Sequence, residues 1–190
     1  MRRGGRYNAC SALSELAFRN EENCIAIVQS KGGLAGIVEL LRGSDERIQE
    51  DAALVVNNCA AFCEDMCTTI VACPGLLCAL KDIVMHRGDA SKGAKYVAVG
   101  ALNCLSRCAA ARPELLAHGV VEAIVPVLSE KGQGDRHDAH VARATMAIAN
   151  LCGLLRDDMF EDEAMRLLAL RTTGKLRKGA AVWLAHTFVD

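Results

Sequence analysis

Cysteine is the residue type with the most chemistry to offer in this chain, and its spacing invites a metal reading first. Cys59, Cys63 and Cys67 stand at i, i+4 and i+8, and Cys104 and Cys108 repeat the step. On a helix that spacing gathers thiols on one face, as a soft-metal site requires. Structural zinc, however, is usually held by Cys-x-x-Cys pairs, and none occurs here. Cysteine as a small apolar packing residue is the better reading, and no metal is expected. His137 and His140, at i, i+3 in or beside a polar loop, lack a third ligand and are expected to be solvated. A nucleophilic cysteine served by His86, His118 or His186 would have to be assembled in space, and nothing along the chain favours it. There is no phosphate-binding glycine loop, no Gly-x-Ser-x-Gly elbow and no His-Glu-x-x-His motif. The expectation is a protein without catalytic residues or cofactors.

The elements that carry these residues are apolar and poor in aromatics. Of 190 residues, 52% are hydrophobic and only 4% aromatic, which suits closely packed helices better than a β-sandwich. The net charge of −1 gives no overall field toward nucleic acid or anionic membrane, so neither is an expected partner. The longest apolar stretches, such as Ile70 to Leu80, fall short of the roughly 20 residues of a membrane span. Ten cysteines in apolar periodic segments of a chain with its own core fit a reducing compartment, cytoplasmic with nuclear as the alternative. The first six residues lack the apolar stretch of a secretory signal, and no Asn-x-Ser/Thr sequon occurs.

One segment recurs along the chain. Ala12 to Ala17, Val55 to Ala60, Ala101 to Ser106 and Ala147 to Cys152 share a small-apolar run ending in a polar-apolar-small triplet, and Leu16, Cys59, Leu105 and Leu151 are 43, 46 and 46 residues apart. In phase with it, Gly33, Gly75 and Gly119 each open an apolar helix and follow a short apolar segment. The unit is therefore short helix, glycine turn, medium helix, polar loop, long helix. Glycine tolerates the left-handed backbone that a sharp helix–helix turn needs, Pro113 can begin a helix, and Ser44 or Asp45 can cap the long one. In that long helix Ile48, Ala52, Val55, Val56 and Cys59 recur at helical spacing.

This arrangement resembles the armadillo repeat family. The first full unit carries the resemblance: Glu22-Asn23 with Ile25, Ile27 and Val28, then Lys31-Gly32-Gly33-Leu34, Ile37-Val38-Glu39-Leu40-Leu41, and Ser44 to Glu50 leading into Ala52-Ala53. The resemblance covers about residues 7 to 153 and implies an all-α, right-handed solenoid of three-helix repeats, with a HEAT-like two-helix superhelix as runner-up. A single domain is expected over 1–190. It divides into a partial repeat at 7–20 (third helix only), repeats at 21–63, 64–110 and 111–153, and a shortened capping repeat at 154–190. The distance from Leu151 to Leu184 is only 33 residues, which motivates the shortening. The acidic run Asp157 to Glu163 and the basic run Arg171 to Lys178 then complement the ends of helices there.

The resemblance also implies a concave groove lined by the third helices and suited to an extended peptide. Its ladder here is Glu15, Asn58, Cys104, Asn150 and Trp183, preceded one turn earlier by Ser11, Leu54, Gly100, Met146 and Gly179. Asn58 and Asn150 can clamp a peptide backbone through their amides, or bond helix to helix within the stack; both readings stand. Family members that bind nuclear-import signals gather basic side chains on tryptophans of the earlier row, and no tryptophan occupies it here. Two turns before the ladder lie Tyr7, Glu50, Tyr96, Ala142 and Lys175, with Arg143 beside the row. Tyrosine and arginine are common binding anchors, although Tyr96 can equally pack between repeats and Trp183 within the last helix. The groove candidates are therefore Tyr7, Glu15, Glu50, Asn58, Tyr96, Arg143, Asn150 and Trp183.

The function implied is a non-catalytic scaffold or adaptor that binds a peptide segment or helix of another protein. The alternative is the regulatory armadillo portion of a larger enzyme, such as a ubiquitin ligase or kinase, motivated by entry at a third helix. A third expectation is end-to-end self-association through the N-terminal edge.

Overall fold

A computed structural model describes residues 3–86, 92–130 and 134–151. Its elements are α1 (Arg3–Ala17), α2 (Glu21–Gln29), α3 (Gly33–Leu41), α4 (Glu46–Phe62), α5 (Cys67–Val71), α6 (Leu76–Met85), α7 (Lys92–Arg107), α8 (Arg112–Ala117), α9 (Val120–Ile124) and α10 (Asp135–Leu151). Short 3-10 turns at Glu64–Met66 and Ala109–Ala111 lead into α5 and α8, and one at Val125–Ser129 continues α9. There is no strand among the described residues. The helices fall into successive three-helix sets, in which α4 packs on α1, α7 on α4 and α10 on α7. Three helices per set, rather than two, set the HEAT-like alternative aside. The proposed capping repeat and Trp183 lie outside the described residues.

Glycine turns position the first two helices of each set. Gly32, Gly75 and Gly119 have φ of 80°, 80° and 65°, the left-handed region that a β-carbon disfavours. In the first set this residue is Gly32 and not Gly33, which is already helical. The turn sends α2 into α3, and the Glu64–Val71 segment into α6, at 88°. No single described helix is long and apolar enough to cross a membrane. The third set differs: the helix expected from Val120 to Leu128 stops after Ile124. Pro126 has no N–H and its ring would clash with the carbonyl four residues back, so the chain tightens into a 3-10 turn.

The long helices are held by specific caps. Asp45 is the cap of α4, its carboxylate accepting from the N–H groups of Arg47 at 3.2 Å and Ile48 at 3.4 Å. Gln49 ties the loop down by donating to the carbonyls of Leu41 and Gly43. The cysteines have a structural task at the other end. The Cys24 thiol donates to the Ala17 carbonyl at 3.2 Å, and one repeat later Cys67 donates to Ala60 at 3.7 Å. In the third set Arg112 takes the same place, donating to Ser106 at 2.9 Å. Each side chain satisfies an orphan carbonyl at the end of a third helix.

Packing follows the repeat. Ile48, Ala52, Val55, Val56 and Cys59 of α4 are all buried, as their spacing predicts. The central helix α7 is buried on nearly every side, through Ala94, Ala98, Val99, Ala101, Leu102 and Leu105. Its alanines, with Gly100, permit the close approach of α4 and α10. Fully burying a Leu102 or Leu105 side chain is worth about 1.5–3 kcal/mol each.

Candidate functional site

The third helices α1, α4, α7 and α10 lie side by side, so residues at corresponding turns form rows across the stack. The row of Glu50 and Tyr96 contains a cluster of charged and aromatic side chains. Tyr96 on α7 is half-buried, with the Arg143 guanidinium carbon 4.3 Å from its ring centroid and that of Arg136 at 5.3 Å. Both distances are within cation–π range. Arg136 also reaches back to Glu50 Oε1 at 3.7 Å, joining α10 to α4 across α7. Two glycines make room for this convergence. A β-carbon on Gly93 would lie 2.2 Å from the Glu50 carboxylate, and one on Gly100 would lie 2.9 Å from Asn57 Oδ1 and 3.1 Å from Arg143 Nη1. Three of the predicted groove residues, Glu50, Tyr96 and Arg143, are thereby brought together on the third helices of three successive sets.

His140 lies beneath this cluster. It was expected to be solvated, but its ring is 7% exposed and packs 5.8 Å from the Tyr96 ring. Its Nε2 is 3.8 Å from Glu130, which also pairs with Lys95, while Nδ1 is buried without a hydrogen-bond partner. Burial pushes its pKa down to about 4; Glu130 opposes the shift, and Lys95, His137 and Arg143 reinforce it. The ring is therefore neutral at pH 7. Sequence spacing missed this because the cover comes from Tyr96, 44 residues away.

Asn58 and Asn150 are buried between third helices, which is the helix-to-helix reading of the asparagine ladder. Asn58 is 3% exposed and donates to the Ser14 carbonyl of α1 at 3.0 Å; Asn150 is 6% exposed and donates to Ser106 Oγ of α7 at 2.9 Å. Each amide bonds its helix to the preceding third helix, where an unpaired polar group would be costly. Cys104, which occupies the same ladder on α7, instead sends its thiol to Asn57 Oδ1 of α4 at 3.7 Å. The half-buried asparagine near the cluster is Asn57, one residue before the ladder.

Tyr7 and Glu15 lie on α1, both exposed and away from the Tyr96 cluster, and Trp183 lies outside the described residues. Near Glu15 the missed residue is Asp51, whose Oδ2 is buried without a partner. Burial raises its pKa, and the charges of Glu50 and Glu15 raise it further. Glu15 of α1 and Glu50 and Asp51 of α4 thus act on one another, whereas Arg136 and Arg143 come from α10. The thiols are poor nucleophiles where buried. Burial, followed by the negative charge of Asp51, pushes Cys10 up to about 11; burial raises Cys67 to about 12 and Cys59 higher still. A cleft of about 420 Å³ opens on another part of the surface, lined by Arg42, Gln49, Asp82 and His86 among others. None of the predicted groove residues lines it.

No protein-family model matches the chain, and no curated protein does. Solved structures do. An engineered protein superposes with a TM-score of 0.69 at 21% identity, covering 90% of this chain and 64% of that one. Computationally designed armadillo repeat proteins for modular peptide recognition give 0.69 at 20% identity, over 90% and 66%. A designed armadillo repeat protein in complex with the peptide (KR)4 gives 0.65 at 21% identity, over 86% and 62%. The chain spans about two thirds of the length of these structures. At such identities the likeness establishes the fold, an all-α armadillo-like solenoid.

Proposed function

We propose that this protein is a non-catalytic scaffold whose third-helix face holds an extended segment of another protein. The observation that carries the reading is the convergence of Glu50, Tyr96, Arg136 and Arg143 from α4, α7 and α10 on one place. A partner laid across the stack meets an aromatic ring, two guanidinium groups and a carboxylate within one row. Aromatic and arginine side chains held by packing bind with little further loss of entropy. Two of the similar structures are described by peptide recognition or a bound peptide, which supports the same use of the face here. Burial holds the Cys59 and Cys67 thiols protonated, in keeping with a packing role for them.

The test is selection from a random peptide display library, followed by affinity measurement on the wild type and on the double variant Glu50→Lys, Arg143→Glu. Selected peptides are expected to lose at least tenfold in affinity for a variant that retains its helical circular dichroism. Binders that ignore the double substitution would place recognition elsewhere on the molecule.

A further inference from the structure

We propose that Arg143 anchors an acidic side chain of that extended segment, at the point where α4, α7 and α10 converge. The inference rests on the scaffold reading and specifies the chemistry of its partner. Arg143 is half-buried and stacked on Tyr96, and among the described residues no carboxylate pairs with it. The neighbouring cations differ, since Arg136 has Glu50 and Lys95 has Glu130. A guanidinium partly withdrawn from water and lacking a counter-ion attracts an anion more strongly than a hydrated one does. Its planar fork matches a carboxylate, and the ring beneath it holds the fork in place.

Gly100 completes the site. Its bare α-carbon lets the Asn57 amide and the Arg143 guanidinium close in over α7, where a β-carbon would stand 2.9 Å and 3.1 Å from them. The Asn57 amide turns its Oδ1 toward α7, where it accepts from the Cys104 thiol at 3.7 Å, while its Nδ2 donates to Asn58 Oδ1 at 3.5 Å, which leaves Arg143 as the donor to a carboxylate. Arg107 is exposed at the end of α7, and it acts together with Arg143 on Cys104, opposing the rise that burial imposes on that thiol. Arg107 of α7 and Arg143 of α10 thus flank Cys104. Glu15 and Asp51 lie toward α1, so the acidic residue of the bound segment is placed toward α10. This is the opposite preference to the basic peptide (KR)4 held by one of the similar structures.

The experiment uses two fluorescein-labelled octapeptides, alternating Glu and Ser in one and Lys and Ser in the other, with fluorescence anisotropy at low and high salt. The acidic probe is expected to bind at least tenfold more tightly than the basic one, and to weaken as salt rises. Arg143→Gln is expected to remove most of that difference, Arg143→Lys to restore part of it, and Arg143→Glu to reverse it. Arg107→Gln reads whether the preference is merely diffuse: an effect equal to that of Arg143→Gln overturns the anchor. Equal or tighter binding of the basic probe overturns the acidic partner. In that case, display-selected peptides that bind this face without enrichment in Asp or Glu leave the scaffold reading intact. Failure of the library to yield any binder sensitive to Glu50 and Arg143 removes the scaffold reading as well.

Discussion

Lowering the pH is expected to destabilise this protein through one side chain, and the size of the effect follows from where His140 sits. In the unfolded chain the imidazole titrates near its ordinary value of 6.5; in the folded chain burial holds it near 4. The folded state therefore binds fewer protons than the unfolded state between those values, and stability falls as pH falls through the window. The full gap of roughly two and a half units is worth on the order of 3 kcal/mol. The stability is intact above the unfolded value and is lost progressively toward the folded one. Between pH 7.5 and 5 about 2 kcal/mol of it should go. The assay is urea denaturation of the wild type and of His140→Gln at several pH values across that range. The variant removes the titration while keeping a polar side chain, so the difference between the two proteins isolates His140 from the other histidines and the carboxylates. The wild type should lose about 2 kcal/mol more than the variant. Stability curves that run parallel from pH 7.5 to 5 would show that the ring is hydrated, and would refute its burial beneath Tyr96.

Three further outcomes can be checked independently. Asn58→Ala should destabilise the fold by about 1–3 kcal/mol in urea denaturation, because the Ser14 carbonyl loses its donor inside the stack. Gly75→Ala should cost about 1–2 kcal/mol, since a β-carbon there meets a φ of 80° and the Arg42 guanidinium at 2.4 Å; the same substitution at Gly36, a helical site with open space, should be neutral or stabilising. Native thiol titration with a chromogenic disulfide at pH 7.5 should modify exposed Cys78 quickly, while Cys10, Cys59 and Cys67 react only on unfolding, as mass mapping of the labelled peptides will show.

The fold was legible because it is written in spacing. Leu16, Cys59, Leu105 and Leu151 mark equivalent turns of four stacked helices, and a glycine in phase with them marks each corner. What spacing cannot supply is direction around a helix at one-residue resolution. Asn57 and Asn58 carry the same amide, yet Asn58 reaches α1 and Asn57 faces α7; only the angle between packed helices separates them. Gly32 and Gly33 were indistinguishable for a similar reason, since either can adopt the left-handed backbone. The grouping of Tyr96 with Arg143 was within reach, because their rows are adjacent, whereas the burial of His140 depended on a ring contributed by another repeat. Pro126 was readable in principle: an interior proline already argues against the continuous helix expected around it.

The left-handed glycine corners also decide the shape that two apolar stretches of this chain take. Glu21–Gln29 and Gly33–Leu41 together are long and apolar enough to pass for a bilayer segment, as are Glu64–Val71 and Leu76–Met85. Folding each pair through 88° turns a would-be rod into an elbow whose two arms press their greasy sides into the same interior. One torsion angle at Gly32 or Gly75 thus separates a straight apolar rod from the bent wall of a protein stack.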